Sequence, residues 1–311
     1  MIYMSEDEKY KKYKRLEDLP IATKVVLPEM GMVRKGVIQF VHGMCEMKER
    51  YDRILDFFAG QGYVCVISDL RGHGENVEYE KDLGYFGEDG ANLLVEDVHA
   101  VTVFIKNNYP DLPVTLLGHS MGSLIARAYT KKYDSDIDML ILSGCPSMRK
   151  FRNAGALLIE FITLFIDEHE TNNFINKLMV GVFDKKFAHE GVKNSWICSD
   201  MGVVEAYNNT PKCGFMFTLN GHHTLCRLQG MVYSKKNWAV NNKSLPIAYF
   251  SGEDDPCLLD ENTFNKSVDI MRKAGYENVT SKLYKGMRHE IFNEPDYIKV
   301  CNDILEILPV A

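Results

Sequence analysis

The stretch "TLLGHSMGSL", Thr115 to Leu124, sets a serine between two glycines directly after a run of strand-forming residues. As a pentapeptide, G-x-S-x-G is weak, and its bland reading is a turn serine. Context decides the matter. "PVTLLG" (113–118) reads as a strand, and Met121, Leu124, Ile125 and Ala128 then fall on one helical stripe. A serine on so sharp a strand-to-helix turn sits in strained backbone, its oxygen thrust out beyond the carboxyl end of the sheet. Side chains two residues either side would collide, so Gly118 and Gly122 are needed. The helix start adds unpaired N–H groups and a positive dipole end for a developing oxyanion.

The rest of the chain supplies a matching frame. "ATKVVL" (22–27), "GVIQFVHG" (36–43), "YVCVISD" (63–69), "DMLILSG" (138–144), "PIAYFSG" (246–252) and "VTSKLYKG" (279–286) read as further strands. Several are continuous apolar runs, as strands buried on both faces are. Helical stripes lie between them: Tyr51, Ile54, Leu55 and Phe58, then Leu94, Val98, Val101 and Ile105. Strand–helix alternation implies an α/β fold, a mostly parallel sheet flanked by helices, with 22–27 an antiparallel addition. From 146 to 245 the alternation gives way to helix and loop, too long for a connection. The expected organisation is a core of 1–145 and 246–311 with an inserted helical cap over 146–245.

Bulk properties narrow the function. A net charge of -7 argues against nucleic acid, which requires a basic surface. The longest apolar run, Ala154 to Ile166, is interrupted by Glu160 and too short to span a bilayer. "MIYMSEDEKYKKYKR" is unlike a secretory signal; Ser5 and Glu8 have capping-box spacing, and Lys9 to Arg15 reads as a solvated helix face. Eight scattered cysteines without a C-x-x-C pair imply free thiols and a cytoplasmic location.

A serine hydroxyl needs a base, itself oriented by an acid, and in the α/β-hydrolase arrangement the chain order is Ser, Asp or Glu, then His. Only His289, in "YKGMRHEIFNE", follows the strand 246–252 among nine histidines. The acid comes from "SGEDDP": Asp255 is the choice and Asp254 the fallback, with Glu253 least favoured, since spacing does not fix a one-residue register. The oxyanion N–H groups fall to Met121, after the serine, and Met44 in the loop "HGMCE". The adjacent His222 and His223 lack a third ligand at suitable spacing, so neither a metal nor another cofactor is expected.

From about 21 to 308 the sequence resembles the monoacylglycerol lipase and lysophospholipase group of α/β-hydrolases, related to serine aminopeptidases. The motifs are "VIQFVHGMCEMKERY", "DLRGHGEN", "GYFGEDG", "LLGHSMGSLIAR", "SGEDDP", "GMRHEIFNE" and, between them, "WICSDMGVVEAYNNTPKCGFMFT". The resemblance implies a Ser120–Asp255–His289 triad, oxyanion N–H groups from Met44 and Met121, and Glu46 and Arg50 as buttresses of the oxyanion loop. It is broken at Cys45, where such proteins often carry glycine or another small residue; Cys257 is a second thiol near the acid. Both either line the site or are merely small buried residues.

The implied reaction is hydrolysis of a monoacyl lipid ester, monoacylglycerol ahead of lysophospholipid. "AGALLIEFITLFI" and "FINKLMVGVF" suit an acyl channel and transient contact with a micelle or membrane surface. The rivals are a short-chain carboxylesterase, an aminopeptidase holding a free amine on Glu160, Asp167, Glu168 or Glu170, and a noncatalytic binder on the same scaffold. Oligomeric state is not legible.

Overall fold

The computed structural model describes residues 12–148 and 152–311. The Ser5–Glu8 capping box and the start of the Lys9–Arg15 run lie outside them. Lys12, Lys14 and Arg15 are exposed, but in a turn and bend rather than on a helix.

Seven strands form one sheet in the order β1-β3-β2-β4-β5-β6-β7. They are β1 (Thr23–Val26), β2 (Gly36–Val41), β3 (Tyr63–Ser68), β4 (Val114–His119), β5 (Met139–Ser143), β6 (Ile247–Gly252) and β7 (Val279–Tyr284). Only β1 pairs antiparallel, against β3; every other pairing is parallel. The strands β2 to β6 are buried at every position, which explains their unbroken apolar runs. On the edge strand β7 the central residues are exposed, so its sequence is polar.

Helices cover both faces. On one side α1 (Asp52–Gly60) and α9 (Tyr297–Leu305) bury Ile54, Leu55, Phe58, Val300 and Ile304 against Ile38, Cys65 and Ile141. On the other, α2 (Gly90–Asn108), α3 (Met121–Tyr133) and α8 (Glu261–Ala274) build the larger core with Val64, Leu116 and Leu140. The apolar stripes read from the sequence face these cores. Asp260 starts α8 by accepting the Thr263 N–H at 2.7 Å, and Gly275 at φ 123° ends it.

Between β5 and β6 the described residues contain no strand, only one isolated bridge, Thr171 to Thr218. They form α4 (Arg152–Thr163), α5 (Asn173–Met179), α6 (Met201–Asn209), α7 (Leu219–Tyr233) and short 3-10 turns. The last helix, α7, packs on α2 and α3, and its Leu225, Leu228 and Val232 join the larger core. Ahead of it, Phe183, Phe187, Trp196, Ile197, Val204 and Tyr207 make a separate cluster.

The turn from β4 into α3 is held by close backbone approach. A Cβ on Gly118 would lie 2.4 Å from the Gly122 carbonyl oxygen, and one on Gly122 would lie 2.1 Å from that of Val41 at the end of β2. Gly122→Ala therefore forces α3 away from the sheet and is expected to cost about 2 kcal/mol or more, within the range of overpacked cores. Gly230→Ala, in α7 with open space at its Cβ position, is expected to stabilise by up to about 1 kcal/mol through helix propensity. Denaturant unfolding of both variants checks this; equal stability would show that the turn tolerates a side chain.

Candidate active site

Ser120 follows the last residue of β4 and has φ 52°, ψ -117°, a conformation that side-chain-bearing residues rarely adopt. Its N–H donates to the Ser143 carbonyl at 2.9 Å, and its own carbonyl accepts from Ser123 Oγ at 2.6 Å. The turn is thus pinned to β5 on one side and to α3 on the other. Ser120 Oγ lies 2.8 Å from His289 Nε2, and His289 Nδ1 lies 2.8 Å from Asp255 Oδ2. The second carboxylate oxygen of Asp255 accepts the Cys257 N–H at 2.8 Å. All three side chains are buried. Of the three acids considered, the fold brings Asp255 to the imidazole. Asp254 carries Lys186 instead, at 3.4 Å, and Glu253 is exposed.

Burial works against charge on both partners, yet mutual attraction prevails. Desolvation disfavours the His289 imidazolium, but the Asp255 charge and hydrogen bond outweigh it and hold the pKa well above the ordinary value. Desolvation likewise opposes the Asp255 carboxylate, and the charge of His289, its hydrogen bond and the Cys257 N–H overcome it, lowering the pKa. His119, next to the serine, behaves oppositely: burial and the neighbouring His289 push it down to about 4, so it is neutral.

Met121 is the first residue of α3, so its N–H has no acceptor within the helix. Met44, in the loop after β2, borders the same recess as Met121 and Ser120. That loop is heavily braced. Gly43 N–H donates to Glu46 Oε1, Tyr51 OH reaches the same oxygen at 3.0 Å, and Arg50 takes the other at 2.7 Å. Arg50 also makes two bonds, 2.7 and 2.6 Å, to Glu290. Cys45 has φ 55°, which explains why glycine suits this position. Its N–H donates to His73 Nε2 at 3.1 Å and its thiol to the Phe215 carbonyl at 3.0 Å. Burial holds that thiol's pKa far up, so it is a packed neutral group on the wall of the cleft.

Three residues were not anticipated from the sequence. Glu290 is the buried second anchor of Arg50. Trp196 packs its ring 4.9 Å from that of His289. Arg288 binds the Cys198 carbonyl at 3.2 Å and the Glu190 carboxylate, tying the histidine loop to the segment before α6. Adjacency to His289 and one of only two tryptophans were the available signals.

The cleft over Ser120 holds about 250 Å³, with Met44, Cys45, Trp196, Tyr207 and Phe215 on its apolar walls and Asn176, Asp184 and Lys193 among its polar ones. A smaller recess of about 30 Å³ borders Ser120 and Cys257. His222 and His223 join no cluster of three metal-ligating side chains among the described residues; His223 meets Glu160 at 3.0 Å.

Comparison with known proteins agrees with this architecture. The family described as serine aminopeptidase, S33, matches residues 33–296. Phospholipase YtpA of Bacillus subtilis is 34% identical, the match covering 84% of this chain and 90% of that one. Monoglyceride lipase of Homo sapiens is 31% identical over 84% of this chain and 77% of its own length. A thermostable carboxyl esterase from Bacillus coagulans, solved in complex with glycerol, superposes with a TM-score of 0.83 at 27% identity, covering 91% and 92% of the two chains. This chain belongs to the serine aminopeptidase S33 family of α/β-hydrolases.

Proposed function

We propose that this chain is a serine hydrolase that cleaves carboxylic esters of monoacyl lipids, monoacylglycerol before lysophospholipid, through an acyl-enzyme on Ser120. The observation that carries the reading is the Ser120–His289–Asp255 relay, with 2.8 Å at both links, at the floor of a largely apolar cleft. The matched phospholipase and monoglyceride lipase support the substrate class.

The chemistry runs through this chain's own atoms. Asp255 holds the Nδ1–H tautomer of His289, leaving Nε2 to take the Ser120 proton as Oγ attacks the ester carbonyl. The N–H groups of Met44 and Met121 receive the oxyanion; loss of one such donor costs about 3–4 kcal/mol. His289 then protonates the leaving alcohol. A water deprotonated at the same nitrogen releases the fatty acid.

Residues 146–245 serve in this reading as a cap over the core of 1–145 and 246–311. On α4, Leu157 and Phe161, continued by Leu164 and Phe165, form a stripe at helical spacing, each more than half exposed. Such a stripe supports contact with a micelle or membrane surface. No described helix is long and apolar enough to cross a membrane. The aminopeptidase reading is weaker here, because none of Glu160, Asp167, Glu168 and Glu170 lines the cleft.

Acid release from monoacylglycerol, lysophosphatidylcholine and an aminoacyl-amide, measured side by side, tests the proposal. Turnover of the glycerolipid that Ser120→Ala abolishes is expected; turnover of the amide alone would overturn it. Since His289 must be neutral to act and its pKa is raised, kcat/KM on a soluble ester should climb through an apparent pKa above the ordinary 6.5. Asp255→Asn removes the raising charge, so that limb should move to lower pH while the rate falls roughly 10³- to 10⁴-fold. Phe161→Asp with Phe165→Asp should slow turnover of micellar monoacylglycerol at least about tenfold and leave a short soluble ester within about twofold, as loss of buried apolar area at an interface predicts.

A further inference from the structure

The thiol of Cys257 has no part in the reaction above, yet it stands at its centre. One ligand atom each from Asp255, Cys257 and His289 lie within 4.8 Å of one another, and all three residues are buried. Carboxylate, thiolate and imidazole are a ligand set for a soft or borderline divalent cation, and three such side chains with one open position complete a tetrahedral zinc shell. Ligand atoms around tetrahedral zinc lie roughly 3–4 Å apart, so small side-chain adjustments suffice. Of the three, Cys257 also borders a recess of about 30 Å³ shared with Ser120 and Trp196, room for a single ion or water. The cluster is also firmly placed: Asp255 and Cys257 are joined through the Cys257 N–H, and the Cys257 carbonyl accepts the Ser147 N–H at 3.0 Å.

We propose that Asp255, Cys257 and His289 form an inhibitory site for a soft or borderline divalent cation, with zinc and cadmium as the ions it takes. The site switches the tautomer of the base. Asp255 meets the imidazole at Nδ1 and Ser120 meets it at Nε2. A cation held by the carboxylate and the thiolate takes the Nδ1 lone pair, and the ring proton moves to Nε2. That nitrogen then donates where it must accept, and the serine loses its base. The balance is simple: one metal–sulfur, one metal–nitrogen and one metal–oxygen bond form, and the thiol proton leaves to solvent. Cation binding stands on the geometry alone; inhibition rests on the serine hydrolase reading.

The test uses the full chain after chelator treatment, titrated with zinc or cadmium chloride. Cadmium should give a thiolate charge-transfer band saturating at one equivalent in the wild type and in Ser120→Ala. Cys257→Ser should lose the band, while Cys301→Ser keeps it. The zinc concentration that halves turnover of a soluble aryl ester should rise at least about tenfold in Cys257→Ser. An unchanged band and unchanged inhibition in that variant would overturn the site. Should Cys257→Ser fail to fold, X-ray absorption of the wild type with one equivalent of zinc decides: one sulfur near ~2.3 Å beside nitrogen and oxygen is expected, and a shell without sulfur overturns it. Ester turnover that survives Ser120→Ala would sink the hydrolase reading and leave the metal site standing, so the two failures are distinct.

Discussion

The arrangement around the serine depends on one backbone constraint, the positive φ of Ser120 between β4 and α3. Such a conformation costs on the order of 1–3 kcal/mol and persists only where its surroundings overdetermine it. Here they do. The central strand β4 is flanked by β2 and β5, and the Ser120 N–H is committed to the Ser143 carbonyl. Gly122 lets α3 lie against the end of β2, with the Val41 oxygen where a methyl group would otherwise sit. The same approach brings the loop after β2, with Met44, beside the first turn of α3. Strain at one residue thereby sets Ser120, Met121 and the loop bearing Met44 around one recess.

A second constraint holds the two loops that flank the serine in register. Arg50 bridges Glu46, under the loop after β2, and Glu290, next to the imidazole. Burial of a carboxylate is costly, and for Glu290 it would raise the pKa, but the Arg50 charge and paired bonds lower it. Removing either partner would strand a buried charge, a loss of about 3–5 kcal/mol in comparable pairs. The bridge therefore links Glu290, through Arg50 and Glu46, to the Gly43 N–H.

The sheet was legible because burial of its strands on both faces writes itself into local composition. All seven strands follow from runs of six to eight residues, and the polar β7 differs because it lies at an edge. The elbow was legible because a serine flanked by glycines between a strand run and a helical stripe is a local pattern, although Gly122 answers to the distant Val41 carbonyl. What the sequence hides is distance in chain. Arg50 and Glu290 are 240 residues apart, and no periodicity connects them. Asp254 and Asp255 differ by one position, and the Cys257 N–H bond that turns Asp255 inward depends on a turn that spacing does not specify. Cys45 looked like a departure, and its φ of 55° gives the physical meaning of the glycine it replaces.

The residues between β5 and β6 are bound to the rest unevenly, and this bears on how a substrate can reach the cleft. The segment 190–199 is stitched to the histidine loop: the Glu290 N–H donates to the Ile197 carbonyl at 2.7 Å, Arg288 joins the Cys198 carbonyl and Glu190, and Ser199 joins Glu294. Trp196 completes the contact on the imidazole itself. Displacing this segment would carry His289 away from Ser120. At the other end, α7 shares the core of α2 and α3. Ahead of both in the chain, α4 and α5 pack on α7 through the cluster of Ile159, Ile175, Leu219 and Cys226, and they carry exposed Phe161 and Phe174. Local opening draws on regions with few buried apolar contacts. The segment 190–199 is thus tied directly to the loop that carries His289, whereas α4 and α5 are held through α7.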